Sequence, residues 1–314
     1  MTRRIGLALG PAWAFGLAWG IGMAHGQDLP DFDALWDYDR PAETEQTFRE
    51  LLPKAEQSGD ASYALQLMTQ IARTLGLQRK FEEAHAVLNG VEAGLTDDLP
   101  VARIRYLLER GRAFNSSGEQ EEARPLFLEA FAAAHEARED FHAVDAAHMI
   151  AIIEPTDQQI AWNRKAMSIA EASKDERARG WLGSLYNNLG WTYHDLGRFE
   201  EALETFTKGY EFRKAKGQVA PMRIARWTMG RALRSLHRMD EALSIQRELE
   251  GAFAKSGEED GFVFEEIAEC LAASGDTASA APYFKRAYGL LSKIDWVMES
   301  EPERVERLKE LGGP

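Results

Sequence analysis

Beyond residue 40 the apolar positions recur in steps of three and four. In YNNLGWTYHDLGRFEEALETFTKG (186–209), Leu189, Tyr193 and Leu196 form one stripe, and Phe199, Ala202, Leu203 and Phe206 form another. Such spacing places each set on one face of a helix, so two amphipathic helices are predicted to face each other across a short turn at Gly197. Small residues at 190 and 202 let the two backbones approach. Gly197 stands just past the first helix, where a left-handed residue ends it without a steric penalty.

The same template recurs along the chain. In LLERGRAFNSSGEQEEARPLFLEA (107–130), Gly111, Gly118, Ala123 and Phe127 fall on Gly190, Gly197, Ala202 and Phe206. Residues 264–287 supply Ala268, Leu271, Gly275, Ala280, Phe284 and Ala287. Weaker copies cover 68–91, with Ala72, Leu75, Phe81, Ala84 and Leu88, and 226–249, with Gly230, Leu233, Met239 and Ala242. A degenerate sixth unit is expected at about 140–172, with Glu154-Pro155-Thr156 in place of the turn glycine.

On these residues each unit resembles the tetratricopeptide repeat family, whose pattern is a large residue, Leu-Gly, Tyr, Gly, aromatic-Glu-Glu-Ala, aromatic and Ala. The best copy carries Tyr186, Leu189, Gly190, Tyr193, Gly197, Phe199, Ala202 and Phe206, and departs only at Gly209, where Ala is usual. Matched positions at 65, 104, 140, 183, 223 and 261 give spacings of 39, 36, 43, 40 and 38. The helices are therefore longer than in the usual repeat of about 34 residues, as in the extended subtype that the resemblance links to kinesin light chains and several bacterial regulators. The resemblance implies an all-α, right-handed superhelical α-solenoid of helix-turn-helix repeats over 59–298. An N-terminal helix is expected at 40–58, with Phe48, Leu51 and Leu52 facing the first repeat. A C-terminal capping helix is expected at 299–314, with Val305, Leu308 and Leu311 as its apolar stripe.

The first 26 residues read differently. Arg3 and Arg4 precede an apolar run from Ile5 to Ala24, and Ala24-His25-Gly26 leads to Gln27, the layout of a secretory signal peptide. The expectation is a periplasmic or secreted protein. A membrane anchor, if the run is retained, and a cytoplasmic protein, if translation starts further downstream, stand as alternatives. The formal charge of −14 becomes −16 once the two arginines leave. That acidity argues against nucleic-acid binding, which needs a basic face.

No motif for catalysis, metal or cofactor is present: the chain lacks a phosphate-cradling glycine loop, His-Glu-x-x-His, paired Cys-x-x-Cys and Gly-x-Ser-x-Gly. His194-Asp195 are adjacent, and adjacent helical residues point about 100° apart, which does not make a catalytic dyad. The lone Cys270 reads as a small buried apolar residue. The acidic stretch DFDALWDYD (31–39) lacks the glycine and glutamate of a calcium loop. It reads as an extended lead-in, spanning 27–39, that packs Phe32, Leu35 and Trp36 on the first repeat.

The resemblance implies that the first helix of each repeat lines a concave surface. The inward positions are then Arg73, Arg105, Arg112, Asn115, His148, Asn187, Asn188, Trp191, His194, Trp227, Arg231 and Arg234, followed by Glu265, Glu266 and Glu269 in the last repeat. Five arginines gather there, and Asp145 is the one acid expected among them before the last repeat. A basic, aromatic strip on an acidic protein suits an anionic ligand. The expected function is a non-catalytic scaffold that binds an acidic peptide or protein segment in this groove. A self-assembly module and a small-molecule sensor are the alternatives, and intramolecular pairing with Glu109, Asp145 or Asp195 is the competing use of the arginines. The carboxylate clamp of some family members is not reproduced, because Val144, His148, Ile224 and Thr228 stand where its other side chains belong.

Overall fold

The computed structural model describes residues 29–313, so the expected signal segment at 1–26 lies outside the described residues. The described residues form α-helices and one 3-10 turn, with no strand among them. They divide into two compact units, 29–185 and 186–313.

The first unit begins with a 3-10 turn at Phe32–Leu35, where an extended run was expected. Asp31 causes the turn by accepting a hydrogen bond from the amide of Asp33. Helix α1 (Pro41–Gln57) follows, then the antiparallel pairs α2 (Ala61–Leu77) with α3 (Phe81–Gly94) and α4 (Pro100–Ser117) with α5 (Gln120–Ala137). The degenerate unit is a true hairpin of α6 (Asp140–Ile153) and α7 (Thr156–Ala172), and a short α8 (Glu176–Gly180) comes after it. Phe48, Leu67, Ile71, Leu75, Leu88, Ile104, Leu108, Phe127 and Ile150 are each almost fully buried in one continuous core. At about 1.5–3 kcal/mol for each large apolar side chain, this burial is the main force holding the stack.

The boundary between the units falls inside α9 (Leu182–Asp195). The second unit continues with α10 (Phe199–Ala215), α11 (Val219–Ser235), α12 (Met239–Ser256), α13 (Gly261–Ala273) and α14 (Thr277–Leu291). It ends with α15 (Asp295–Ser300), which the sequence pattern did not indicate, and α16 (Pro302–Gly312). Its core joins Leu249, Phe264, Ile267, Phe284, Leu291, Val297, Val305 and Leu308.

Gly197 has φ +72°, as its place after α9 requires, whereas Arg79 and His237 fill the equivalent turns at φ +60° and +58°. Three apolar expectations are corrected. Leu196 lies past the end of α9 and is 43% exposed, Leu35 is 38% exposed on the outside of the 3-10 turn, and Leu311 is 42% exposed in the last turn of α16. Each sits at an element's end, with its side chain turned largely to solvent.

Candidate binding faces

In the first unit the first-helix face is built by α2, α4 and α6. Arg73, Arg105 and Arg112 project from it, but they do not form the basic strip that the residue types suggested. Glu109 stands among them and is 7% exposed. Its Oε1 accepts a hydrogen bond from Arg112 Nη1 at 2.6 Å, and its Oε2 lies 3.7 Å from Arg73 Nη1. Arg112 also pairs with Asp145, across from α4 to α6. Arg105 grips both carboxylate oxygens of Asp33, its Nη1 donating to Oδ1 at 3.0 Å. The expectation that Asp145 is the one acid on this face is thus corrected by Glu109. It follows Arg105 by four residues and precedes Arg112 by three, so helical spacing alone places all three together.

Burial governs the charges here. It opposes ionisation of Arg112, but Asp145 and Glu109 more than offset it and hold the guanidinium above its ordinary range. Burial pulls Arg73 below its ordinary range, with repulsion from Arg112 adding to the effect. Asp145 is lowered although burial opposes it, because Arg112 donates to it. His148 is pushed down to about 4, chiefly by burial, with Asp145 opposing the shift and Arg112 adding to it. Its ring lies 5.1 Å from that of Trp181. Asn115 also lies on α4, and its buried Oδ1 accepts no hydrogen bond.

The acidic lead-in lies along this face. Tyr63 Oη donates to the Pro30 carbonyl at 2.6 Å, and the Phe32 ring meets Tyr63 edge-on at 5.0 Å beneath the Arg105 guanidinium. Trp36 Nε1 donates to Gln70 Oε1 at 3.1 Å, and Trp36 stacks on Tyr38 with ring centroids 4.5 Å apart. Tyr38 sits beside Arg73, Glu109, Arg112 and Asp145, and desolvation raises its hydroxyl. Nothing in the residue types of 31–39 showed that they would reach α4, because Asp33 and Arg105 are 72 positions apart.

In the second unit Trp191 and Trp227 approach to 6.0 Å between ring centroids. The series continues from Trp227 to Phe262 at 6.1 Å and from Phe262 to Trp296, again at 6.1 Å. The last two aromatic residues were not among the sequence candidates. Trp191 also packs on Phe206, and Trp227 Nε1 donates to the Phe262 carbonyl, so both tryptophans join repeats as well as lining the face. Asn187, Asn188, Trp191, His194 and Trp227 all remain partly exposed. Asn187 Nδ2 donates to Asn188 Oδ1 at 3.4 Å, and His194 Nε2 meets Ser235 Oγ at 2.9 Å.

Arg231 and Arg234 both hydrogen-bond Glu266, which is 1% exposed, at 2.8 Å from Arg231 Nη1 and 2.7 Å from Arg234 Nε. Glu265 and Glu269 are taken by Arg304 and Arg307 of α16. Asp195 is exposed, and its Oδ1 lies 3.9 Å from His194 Nδ1, too far for a hydrogen bond. Cys270 is 1% exposed, and burial pushes its thiol up to about 12, far from the thiolate a nucleophile needs. Among the described residues no group of three or more His, Cys, Asp or Glu side chains is placed to hold a metal ion, and no helix is long and apolar enough to cross a membrane.

Residues 183–216 match the family model of the tetratricopeptide repeat. No curated protein sequence is matched. Among solved structures, a signal-transduction ATPase with a tetratricopeptide repeat sensor from Pyrococcus horikoshii is similar over 86% of this chain, at 14% identity and a TM-score of 0.69. The aligned part is 42% of that larger protein's length. The apo form of RapI is similar over 88% of this chain and 84% of its own, at 13% identity and a TM-score of 0.68. Aspartyl phosphate phosphatase F from Bacillus subtilis is similar over 94% and 83%, at 14% identity and a TM-score of 0.60. At such identities the likeness is one of fold.

Proposed function

We propose that this tetratricopeptide-repeat protein is a non-catalytic scaffold that binds an acidic segment of a protein partner on its first-helix face. Stacked helical hairpins offer a ridged surface, and repeat folds use such surfaces for contact with partners. The observation that carries the acidic preference is the sharing of Glu266 by two guanidinium groups, Arg231 and Arg234. One carboxylate leaves that pair half neutralised, and the Arg231 side chain is 33% exposed beside the aromatic series. A partner carboxylate can take the second place on Arg231, and the amides of Asn187 and Asn188 suit an extended backbone.

The test must leave the buried pairing intact. Charge reversal at both arginines would set two new carboxylates against buried Glu266 and unfold the unit, so Arg231→Gln is the appropriate change: Arg234 keeps Glu266 satisfied. Partner recovery from the native host should fall at least tenfold with Arg231→Gln and stay level with Arg226→Gln, a control whose side chain pairs with Glu248 of α12. Equal recovery with wild type and Arg231→Gln would sink the reading. The proposal extends to export from the cytoplasm, supported by the charged and apolar pattern of residues 1–26. A mature protein beginning at Gln27, found by N-terminal sequencing from the host, is the expected result.

A further inference from the structure

Residues 30–38 are packed as a bound peptide would be. They run alongside α2 in its own direction, with Pro30 at Tyr63, Trp36 at Gln70 and Tyr38 near Arg73. Their side chains alternate in chemistry in a way that matches the wall. Phe32 fills the apolar position against Tyr63, Asp33 closes on Arg105, and Trp36 combines ring packing on Phe48 with a hydrogen bond to Gln70. Ala34 and Leu35 between them face solvent.

The wall beneath does not need this segment for its own charge balance. Arg73, Glu109, Arg112 and Asp145 pair two against two without it. If the segment left, Arg105 would lose Asp33 and Arg40, at the start of α1, would lose Asp37, and the lost covering would open the Arg105 guanidinium to water.

We propose that the face of α2 and α4 is a docking slot for an acidic, aromatic segment of a partner protein, occupied in cis by residues 30–38. The partner's segment carries the same order of groups: an aromatic residue, a carboxylate directly after it, and a tryptophan three residues further on. This rests on the chain being a segment-binding scaffold and adds where one partner docks and what it must displace. The exchange is like for like, one carboxylate on Arg105 for another and one indole on Gln70 for another. A tethered segment competes at an effective concentration of the order of millimolar, so a partner must outbind it or arrive at high local concentration.

The probe is a fluorescent peptide with the sequence of residues 29–39. Binding to the full chain carrying Asp33→Ala and Trp36→Ala should be at least tenfold tighter than to wild type, and adding Arg105→Glu should abolish it. Equal affinity for wild type and the double variant, or no binding to a double variant that circular dichroism shows to be folded, overturns the slot. Hydrogen exchange on the unmodified chain gives a second measure should the double variant fail to fold. Millimolar peptide should deprotect the amides of 31–38, and a peptide with alanine for its Asp and Trp should not; unchanged protection with both peptides refutes the proposal. If Arg231→Gln loses the host partners while the peptide never binds, the scaffold stands without this slot. If the peptide binds and Arg231→Gln loses nothing, the slot stands and the Arg231 site falls.

Discussion

The ring of Phe206 lies where a β-carbon on residue 190 would have to stand. A methyl group added to Gly190 would come within 2.4 Å of the ring. The repeat's glycine and aromatic residue are therefore one device, a flat ring of α10 laid against the bare backbone of α9, and Gly111 and Phe127 repeat it at 2.5 Å. Gly190→Ala should destabilise the second unit by about 2–3 kcal/mol, because the ring sits in a packed interface and cannot swing away. Combining it with Phe206→Leu should cost less than the sum of the two single changes, and a double-mutant cycle by urea denaturation measures the difference.

That device explains why the fold was legible. Gly190, Gly197, Ala202 and Phe206 each answer a steric demand that Gly111, Gly118, Ala123 and Phe127 answer again, so the demand shows in the residue types. The site was legible only in part. Helical phase gave the face on which Arg73, Arg105 and Arg112 lie, and the pairing with Glu109 and Asp145, weighed as the competing use of these arginines, is the one the structure holds. What spacing within one helix cannot reveal is a contact between distant segments, such as Asp33 with Arg105 or Arg231 with Glu266. Those contacts turned an expected basic strip into paired charges.

The pairing at Glu266 predicts a large penalty for removing the acid. Glu266→Ala would leave Arg231 and Arg234 together without their common acceptor, and water reaching Arg231, 33% exposed, would offset only part of that loss. Breaking a buried pair by deleting one partner costs about 3–5 kcal/mol, whereas apolar replacement of all its members is close to neutral. The triple change Glu266→Met, Arg231→Leu and Arg234→Met should accordingly recover most of the thermal stability lost by Glu266→Ala, as followed by calorimetry.

Two turns between paired helices hold a side chain in the left-handed region where others hold glycine. His237 has φ +58° and Arg79 has φ +60°. A non-glycine residue there carries a steric penalty of about 1–2 kcal/mol, partly offset by the greater chain entropy that glycine loses on folding. His237→Gly should raise stability by about 0.5–1 kcal/mol, and Gly197→Ala, at φ +72°, should lower it by about the same amount. Chemical denaturation midpoints of the two variants should move in opposite directions.

His148 makes the first unit sensitive to mild acid. Its imidazole is 6% exposed, and burial lowers it from the ordinary 6.5 to about 4. In the unfolded chain it takes up a proton as the pH drops below about 6.5, while in the folded chain it stays neutral until about 4. Over that window the unfolded state binds more protons, so stability must fall as the pH falls, by up to about 3 kcal/mol across the full interval. Asp145, which Arg112 holds below the ordinary carboxylate range against the effect of burial, adds a further loss only at lower pH, from about the ordinary 3.8 downward, where the unfolded chain's carboxylate takes up a proton that the folded one does not. His148→Gln should flatten most of the slope between pH 6.5 and 4, leaving the part due to His85, whose imidazole burial and Arg110 also hold below its ordinary value, and the loss at lower pH. Hydrogen-exchange protection of α4 and α6, measured at steps of pH for wild type and variant, should show the two curves meeting near neutrality and parting as the solution is acidified.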